Sequence, residues 1–571
     1  MNINPIIKKL LEKRGITEPA DMAEFLSDKP QKTYDPFLLP DMEAGVDLIL
    51  SEIKKKSKIC IYGDYDADGI TSSALMMGVL SYITDEENLD YYIPSRFEEG
   101  YGLNIEAIDH IDSSGCNLII TVDCGSVSFK EVEYAKKLGM KIVVTDHHNI
   151  SDVMADCILI NPKRPDSLYP FKDLSGCGVA FKVAQAIQKK AGLPKYILTE
   201  ALDLAAIGTI GDIMPLLDEN RTITKFGIKV LNLGKRAGLK QLIDGTSLKM
   251  GKITSGNISF VIVPHLNASG RIEDASQAVE LLFGKCSSNR MGEIVRDVLE
   301  KNIKRRRLQA ELFEQCCCEI DRDYPDDFVI IEAEAIYEGI AGIVAGKIKE
   351  TFYRPAVIVT PTSEDEIKGT GRSIEGINLY QILKPNEDLF KKFGGHSGAC
   401  GFSMKKSNLP ELRNRIAQQM NELKAKDSEI FKKKFDIDLE AEVGELNMEL
   451  AEQLEMMAPF GNKNPKPLIR CCKVTAGDVR YMGDEMQHVR FFAVGENGQR
   501  LQCVMFNKAQ DYDFEEMKFT PVNILGTLEC QEWQGKKRSF LSVKYSLTRN
   551  NGNDIILSRK ECWYNGIRIK V

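Results

Sequence analysis

The feature that most constrains this chain is a repeated unit, a short apolar run that closes on acidic or imidazole side chains and is followed by a helical stretch. Within Lys58 to Leu75 an apolar strand ends in Asp64, Asp66 and Asp68 before Gly69, Asn117 to Val122 closes on Asp123-Cys124-Gly125, and Lys141 to Thr145 on Asp146-His147-His148. Strands separated by helical stretches such as Ser128 to Leu138 predict a parallel sheet with crossover helices, and such sheets place their sites beyond the carboxyl ends of the strands. The three sets should therefore converge. In the first, a spacing of two puts Asp64, Asp66 and Asp68 on one side if the strand persists, with a turn at Gly69 opening a helix. A fourth carboxylate, Asp212, follows the small and apolar run Ala205 to Gly211.

Each of these acids alone would pass as a helix cap or a solvated turn. Together, with an imidazole pair in a chain that holds only 6 His, they read as a metal centre. Clustered carboxylates attract hard cations, and carboxylates mixed with imidazole suit Mn2+ or Mg2+ better than the thiolate-rich sets of structural zinc. A bridging Asp can hold two ions about 3.5–4 Å apart, which activate a water and stabilise the leaving oxygen of an in-line displacement at phosphorus. The predicted reaction is hydrolysis of a phosphoester or a phosphoanhydride.

A second functional region is expected near Phe393-Gly394-Gly395-His396. Glycine allows close backbone approach to a ligand, and His396 can donate to a phosphate. The same run would also serve as a tight turn before a strand. Arg271 and Arg372 offer planar guanidinium groups suited to charge-assisted phosphate contacts.

At 571 residues, three or four domains are expected, and 43% hydrophobic with 28% charged residues is the balance of a soluble globular protein. No apolar run approaches the roughly 20 residues of a membrane span, and Asn2, Asn4, Lys8 and Lys9 do not form a signal-peptide core, so a cytoplasmic protein is expected. The 15 Cys include no Cys-x-x-Cys pair and are read as reduced structural thiols. The net charge of −8 is unevenly spread: residues 466–571 hold 17 Lys and Arg against 12 Asp and Glu, a local balance of +5, leaving −13 for the remainder. That basic tail shows alternating runs at His488 to Val494, Arg500 to Phe506 and Phe540 to Tyr545, a β pattern. Phe491, Phe492, Phe506, Trp533 and Phe540 lie among Arg490, Lys536, Lys537 and Arg538. Two or three contacts to a single strand, by stacking and phosphate attraction, are expected from this set, with Trp533, Lys536 and Arg538 the candidates; the rest would be core and solvated rim. Gly292 to Tyr324 carries helical apolar spacing, and its run Lys304 to Arg307 would either line a nucleic-acid path or form a solvated face. Lys424 to Lys434 is the expected linker.

The motifs Asp64-Tyr-Asp66-Ala-Asp68-Gly69, Thr121-Val-Asp123-Cys-Gly125, Asp146-His147-His148 and Gly211-Asp212 resemble, in order and context, those of the DHH phosphoesterase superfamily, and within it the RecJ family of bacterial single-strand-specific exonucleases. The likeness extends to Asp35-Pro-Phe-Leu-Leu-Pro-Asp41, Arg96 with Gly100 to Leu103, Leu174 to Lys182, Asn267-Ala-Ser-Gly-Arg271, Gly371-Arg372-Ser373, Gly394-Gly-His396 to Phe402, and Phe460 to Pro465. The resemblance implies an α/β chain with a parallel-sheet DHH domain, a long connecting helix, a DHH-associated α/β domain and a C-terminal OB-type β-barrel. The boundaries expected are an N-terminal region at 1–48, the DHH domain at 49–220, a helical region with the connecting helix at 221–322, the associated domain at 323–425, and linker plus OB domain at 426–571. It implies that Asp66, Asp68, Asp123, His147 and Asp212 hold two divalent cations, Mn2+ or Mg2+. Asp123 and Asp212 would be shared between the ions, Asp64 would stand behind them or join them, and His148 would contact the scissile phosphate. Arg271, Arg372, Ser373, Gly394, Gly395 and His396 would bind phosphate or DNA, in a domain facing the metals. One departure is His265 in Val263-Pro-His-Leu-Asn267, where the family carries Arg, which puts one phosphate contact in doubt. The activity implied is 5′-to-3′ degradation of single-stranded DNA to 5′-mononucleotides in DNA repair and recombination, by a monomer that cooperates with a single-strand-binding protein and a RecQ-type helicase. Pyrophosphatases, hydrolases of short oligonucleotides or cyclic dinucleotides, and metal-free scaffolds share the motif class. The filled ligand positions argue against a scaffold, and the basic tail argues for a polymeric substrate.

Overall fold

The apolar runs form a sheet that is buried on both faces, which is why they read as continuous rather than alternating hydrophobic sequence. The computed structural model describes residues 3–96, 98–100, 102–150, 153–320, 326–533, 536–550, 553–556, 562–564 and 567–569, with side chains described up to residue 544 apart from 531–537. The chain divides into two compact units. The first comprises residues 16–303 together with 456–466, and the second the residues up to 15 with 304–455 and everything from 467 onward.

In the first unit, β1 (Ile59–Tyr62), β2 (Leu89–Tyr92), β3 (Leu118–Val122), β4 (Lys141–Thr145) and β5 (Ile158–Ile160) form a sheet of order β2-β1-β3-β4-β5, parallel throughout. Alternate residues feed opposite cores: Ile59, Ile61, Leu118 and Ile120 enter one, Cys60, Tyr62, Ile119 and Val144 the other. The first core is roofed by α1 (Ala67–Leu80), while α2 (Phe129–Lys137), crossing between β3 and β4, packs Val132 and Ala135 on the second. The first core continues into α3 (Gly176–Ala191), α4 (Tyr196–Gly211), α5 (Asp218–Asn232) and α6 (Val263–Ile272). Two expectations change here. β1 stops at Tyr62, so Asp64, Asp66 and Asp68 do not extend along a strand. The Asp66 side chain accepts from the Asp68 and Gly69 amides, and this N-cap starts the helix at Ala67, ahead of Gly69. The run before Asp212 is helix α4, and Asp212 is its C-cap.

The long helix, α7 (Ser288–Glu319), begins ahead of Gly292, and the expected end at Tyr324 lies outside the described residues. Of its basic run, Arg305 bonds Gln309 and Arg307 pairs with Glu311 one turn on. In the second unit, β6 (Val329–Glu332), β7 (Ala356–Pro361), β8 (Glu366–Arg372), β9 (Phe390–His396) and β10 (Ala399–Lys405) form a sheet of order β6-β7-β8-β10-β9, in which only β6 and β7 are parallel. Helices α8 (Glu338–Phe352) and α9 (Leu409–Lys426) flank this sheet. The stretch 424–434 is not a free linker. Helix α9 runs to Lys426, and Ile430 and Phe431 pack on this core, with the Arg354 guanidinium 4.2 Å from the Phe431 ring centroid.

The tail confirms the β reading. After β11 (Leu439–Ala441), the strands β12 (Ile469–Met482), β13 (His488–Val494), β14 (Arg500–Met505), β15 (Val522–Trp533) and β16 (Lys536–Asn550) run β12-β13-β14-β16-β15, and β15 pairs back onto β12. The ring is closed, and the parallel β14–β16 pair gives the five-stranded OB arrangement. Phe491 and Phe540 belong to its core, the place expected for part of this aromatic set. Phe506 is exposed, and Phe492 lies under Arg500, 4.5 Å from ring centroid to guanidinium. Arg538 is exposed, while the side chains of Trp533, Lys536 and Lys537 lie outside those described. Every cysteine among the described residues is a free thiol, and no described helix is long and apolar enough to cross a membrane.

A buried ion pair ties the first unit together. The Lys182 ammonium, fully buried in α3, donates to Glu219 of α5 at 2.7 Å and to the Tyr34 carbonyl at 2.7 Å. Glu219 also accepts from Thr33 and from the Tyr169 hydroxyl. Removing one partner strands the other charge in low dielectric. Lys182→Met is expected to destabilise the first unit by about 3–5 kcal/mol, measured by urea titration with hydrogen exchange of the α3 amides as the probe. A loss under about 1 kcal/mol would show that Glu219 is not held as a charge.

Candidate metal centre

The strand order reverses between β1 and β3, and the crevice beyond the carboxyl ends of the strands at such a switch point is where open α/β sheets bind ligands. Asp64, Asp66 and Asp68 follow β1, Asp123 follows β3, and Asp146, His147 and His148 follow β4. The sequence pattern therefore delivers its acids and imidazoles to one crevice, and the C-terminus of α4 adds Asp212. His147 Nε2 lies 3.1 Å from Asp123 Oδ1, 3.5 Å from Asp212 Oδ2 and 4.0 Å from Asp68 Oδ2. Three sets bring their donor atoms within 4.8 Å of one another: Asp68, His147 and Asp212; Asp64, Asp66 and Asp123; and Asp123, His147 and His148.

Local structure fixes each carboxylate. Asp68 Oδ2 and Oδ1 accept the amides of Gly176 (2.6 Å) and Cys177 (2.9 Å) at the N-terminus of α3, whose dipole favours a carboxylate. Close approach requires glycine at two points. A Cβ on Gly176 would stand 2.4 Å from Asp123 Oδ1, and one on Gly208 would stand 2.4 Å from Asp68 Oδ1. Asp123 itself has φ +63°, a strained conformation of the kind that clusters at functional sites. The Ala67 amide is capped by the Asn267 side chain at 2.7 Å, which ties α6 to the start of α1.

Asp146 plays a different part from the other acids. Its Oδ1 accepts the His147 and His148 amides and the His148 Nδ1–H at 2.8 Å, and its Oδ2 accepts the Ser126 amide. This fixes the His148 ring, whose side chain is 45% exposed. Asn161, after β5, bonds Ser126 Oγ and the His148 carbonyl, completing the support.

The charges explain the chemistry. Burial and then the Asp66 charge raise the Asp64 carboxyl to about 8; the same two causes raise Asp68 to about 7 against the pull of its amide donors. Burial followed by Asp68 raises Asp212 to about 8, and burial with four neighbouring carboxylates pushes Asp123 well above the usual range. Burial and the His148 charge lower His147 to about 3, so its imidazole stays neutral and able to ligate. Burial opposes protonation of His148, yet the Asp146 hydrogen bond and charge prevail and raise it to about 9. Lys163 lies close enough to act on both His147 and Asp212.

The donor set fits divalent cations. Asp64 Oδ1, Asp212 Oδ2 and His147 Nε2 are buried without a hydrogen bond, and a cation supplies what such atoms lack.

Around the centre, the Arg96 guanidinium stacks 4.0 Å from the Tyr65 ring centroid and donates to the Gly270 carbonyl, and Arg271 is close enough to act on Tyr65. His265, the departure at the Arg position, is held between the Val261 carbonyl and the Asn302 side chain. In the second unit, Arg372, Ala399 and His396 share one rung across β8, β10 and β9, so all three side chains lie on the same sheet face with the small Ala between them. Arg372 is half-buried with no described carboxylate partner. Gly394 is open, and Gly395, at φ +142°, would drive a Cβ to 2.4 Å from the Ala399 carbonyl. Ser373 is corrected: its hydroxyl donates to the Ile377 carbonyl and its amide to the Gly398 carbonyl, leaving no donor for a phosphate. Sequence reasoning missed the parts played by Ser126, Asn161, Lys163, Gly176 and Gly208. Only the shortness of the Ile158–Ile160 run, followed by Asn161, hinted at a further strand end.

Models of known families match three stretches: the N-terminal domain of the DHH family at 58–209, the DHHA1 domain at 326–422 and the RecJ OB domain at 437–545. The chain is 37% identical over 553 residues to the single-stranded-DNA-specific exonuclease RecJ of Bacillus subtilis, covering 95% of this chain and 68% of that one. It is 31% identical over 488 residues to the Escherichia coli enzyme of the same name, covering 81% and 82%. Among solved structures, RecJ of Thermus thermophilus with Mn2+ has the same fold (TM-score 0.79, 24% identity, 96% of this chain and 76% of that one). An exonuclease RecJ bound to manganese matches at 29% identity with TM-score 0.58, over 67% of this chain and 95% of that one.

The titrations carry a sign. Asp64, Asp68 and Asp212 at about 7–8 and His148 at about 9 lie above their unfolded values, so between pH 6.5 and 9 the folded metal-free protein binds more protons than the unfolded chain. Its stability should fall as pH rises through that window. Mn2+ screens the carboxylates, so the increase in Tm on adding Mn2+ should be larger at pH 8.5 than at pH 6.5, read by scanning calorimetry; an equal shift at both would break the link between charge repulsion and metal.

Proposed function

The chain belongs to the RecJ family of DHH phosphoesterases, and from that premise we propose that it degrades single-stranded DNA from the 5′ end to 5′-mononucleotides. It is a single-stranded-DNA-specific exonuclease that uses Mn2+ or Mg2+ as its cofactor. The observation that carries the mechanism is the convergence of five carboxylates and two imidazoles at the switch point of a parallel sheet. When bound, the ions activate a water and stabilise the leaving oxygen of the phosphodiester.

The roles proposed for the residues follow from their surroundings. Asp68, His147 and Asp212 would hold one ion and Asp64, Asp66 and Asp123 the other, and Asp123 Oδ1 lies 3.1 Å from His147 Nε2. His148, held cationic by Asp146, contacts the scissile phosphate. Arg96 and Arg271 form a basic rim that draws the strand backbone toward the crevice. Arg372 and His396 on their common sheet face bind a phosphate of the strand, and Gly394 and Gly395 let its backbone approach. Residues 49–220 are assigned as the catalytic domain, 323–425 as the associated phosphate-binding domain and 426–571 as the segment that carries the OB domain, its first residues packing on the associated domain's core. Strand capture is assigned to the barrel surface carrying Phe506 and the Phe492–Arg500 stack. The closed barrel and its exposed aromatic support a polymeric substrate over a dinucleotide.

Asp123→Ala or His147→Ala should abolish hydrolysis and metal binding with the fold retained. His148→Ala should keep the metals and lower kcat by about 100-fold, the usual scale for a lost proton donor. Folded variants that bind two Mn2+ and cleave at the wild-type rate would refute the assignment. Time courses on strands labelled at either end decide polarity: shortening from the 3′ end, or cutting of circular single strands, would overturn the 5′ reading.

Phe506→Ala should weaken binding of long single strands, by about 1–3 kcal/mol if one base stacks there, and leave cleavage of very short strands unchanged. Equal affinity for long strands in a filter-binding titration would remove Phe506 from the path.

A further inference from the structure

The segment 456–466 lies in the stretch that matches the OB domain, yet it packs with the first unit. There it straps the turn that follows α4 and carries Asp212. The Asn462 side-chain amide donates to the Ile213 carbonyl at 2.7 Å, and the Asn462 carbonyl accepts the Leu216 amide at 2.9 Å. Gly461 sits so close that a Cβ would come 2.7 Å from Leu216 Cδ1. Three anchors fix the strap. Arg221, buried and stacked on Phe25, donates to the carbonyls of Met457 and Ala458, Ser255 donates to the Phe460 carbonyl at 2.7 Å, and the Asn464 side chain bonds the carbonyls of Met457 and Pro459.

The turn needs such a hold. Ile213 has φ +57°, a left-handed conformation that is an outlier for a β-branched residue, and its side chain is 68% exposed, so burial returns nothing for the strain. Asp212 immediately precedes it, and the Asp212 and Met214 amides continue the end of α4 through bonds to the Gly208 and Thr209 carbonyls. If the Ile213 peptide relaxes toward the ordinary helical or extended region, the Asp212 carboxylate swings with it, away from Asp68 and His147.

We propose that Asn462 is a positioning residue for the metal centre: by clamping the Ile213 carbonyl it holds the strained turn that delivers the Asp212 carboxylate to Asp68 and His147. The proposal rests on the reading of Asp212 as a metal ligand. A segment outside the DHH match thereby becomes part of the metal site.

The test uses the full chain stripped of metal and titrated with Mn2+, free Mn2+ being followed by electron paramagnetic resonance. Asn462→Ala, and Asn462→Asp, which lacks the donor, should each weaken the weaker of the two Mn2+ sites about tenfold, the lower end of the effect of losing a group that orients a ligand. kcat should return to the wild-type value at saturating Mn2+, which a general folding defect would not allow. Ile213→Gly removes the strain, so in the Asn462→Ala background it should restore most of the lost affinity. Wild-type Mn2+ binding by Asn462→Ala beside loss of a site in Asp212→Ala overturns the proposal and leaves the site intact. Wild-type binding by both overturns the reading of Asp212 as well. A double variant that stays as weak as Asn462→Ala overturns the strain mechanism.

Discussion

Mutual repulsion among buried carboxylates is the constraint on which the first unit depends. Asp64, Asp68, Asp123 and Asp212 gather around one neutral imidazole where water cannot screen them, and each is pushed toward its protonated form. A fold would not retain such a cluster for stability, since an uncompensated buried charge costs several kcal/mol. It is tolerable because divalent cations replace the missing solvation.

The rest of the unit holds those charges still. Backbone amides at the N-terminus of α3 grip Asp68, glycines at 176 and 208 admit the carboxylates where any side chain would collide, and the Lys182–Glu219 pair fastens α3 to α5. Each device limits how far a ligand can swing when no metal is present. Asp146 does for His148 what the amides do for Asp68: one carboxylate accepts four hydrogen bonds and turns a histidine into a fixed cation. Two adjacent histidines thus differ in charge, His147 neutral and His148 cationic.

The second unit separates support from contact along its strands. Alternation sends Cys400, Phe402 and Met404 into the core, while the shared rung leaves Arg372 and His396 on the other face. In the barrel the same alternation sends Phe491 inward and leaves Phe492 outside beneath Arg500. Aromatic residues adjacent in sequence therefore differ in environment for a geometric reason.

The sequence by itself determined the parallel sheet, its strand ends and the residues gathered there, because apolar runs buried on both faces and acids at their carboxyl ends are written in consecutive residues. It also determined the β character of the tail through period-two alternation. It did not determine where β1 yields to α1, because Asp66 serves equally as a strand residue or an N-cap, and only the placement of the helix on the sheet selects the cap. It did not separate Asp146 from the neighbouring acids, since the support of His148 by Asp146, Ser126 and Asn161 joins positions from three strand ends. Nor did it place Ser373, whose donors turn inward to local carbonyls, or Asn462, which reaches Ile213 across 249 residues of chain. Apart from the Asp66 cap and the Ser373 hydroxyl bond, those assignments are contacts at long sequence separation, fixed by packing, and no local pattern of residues encodes them.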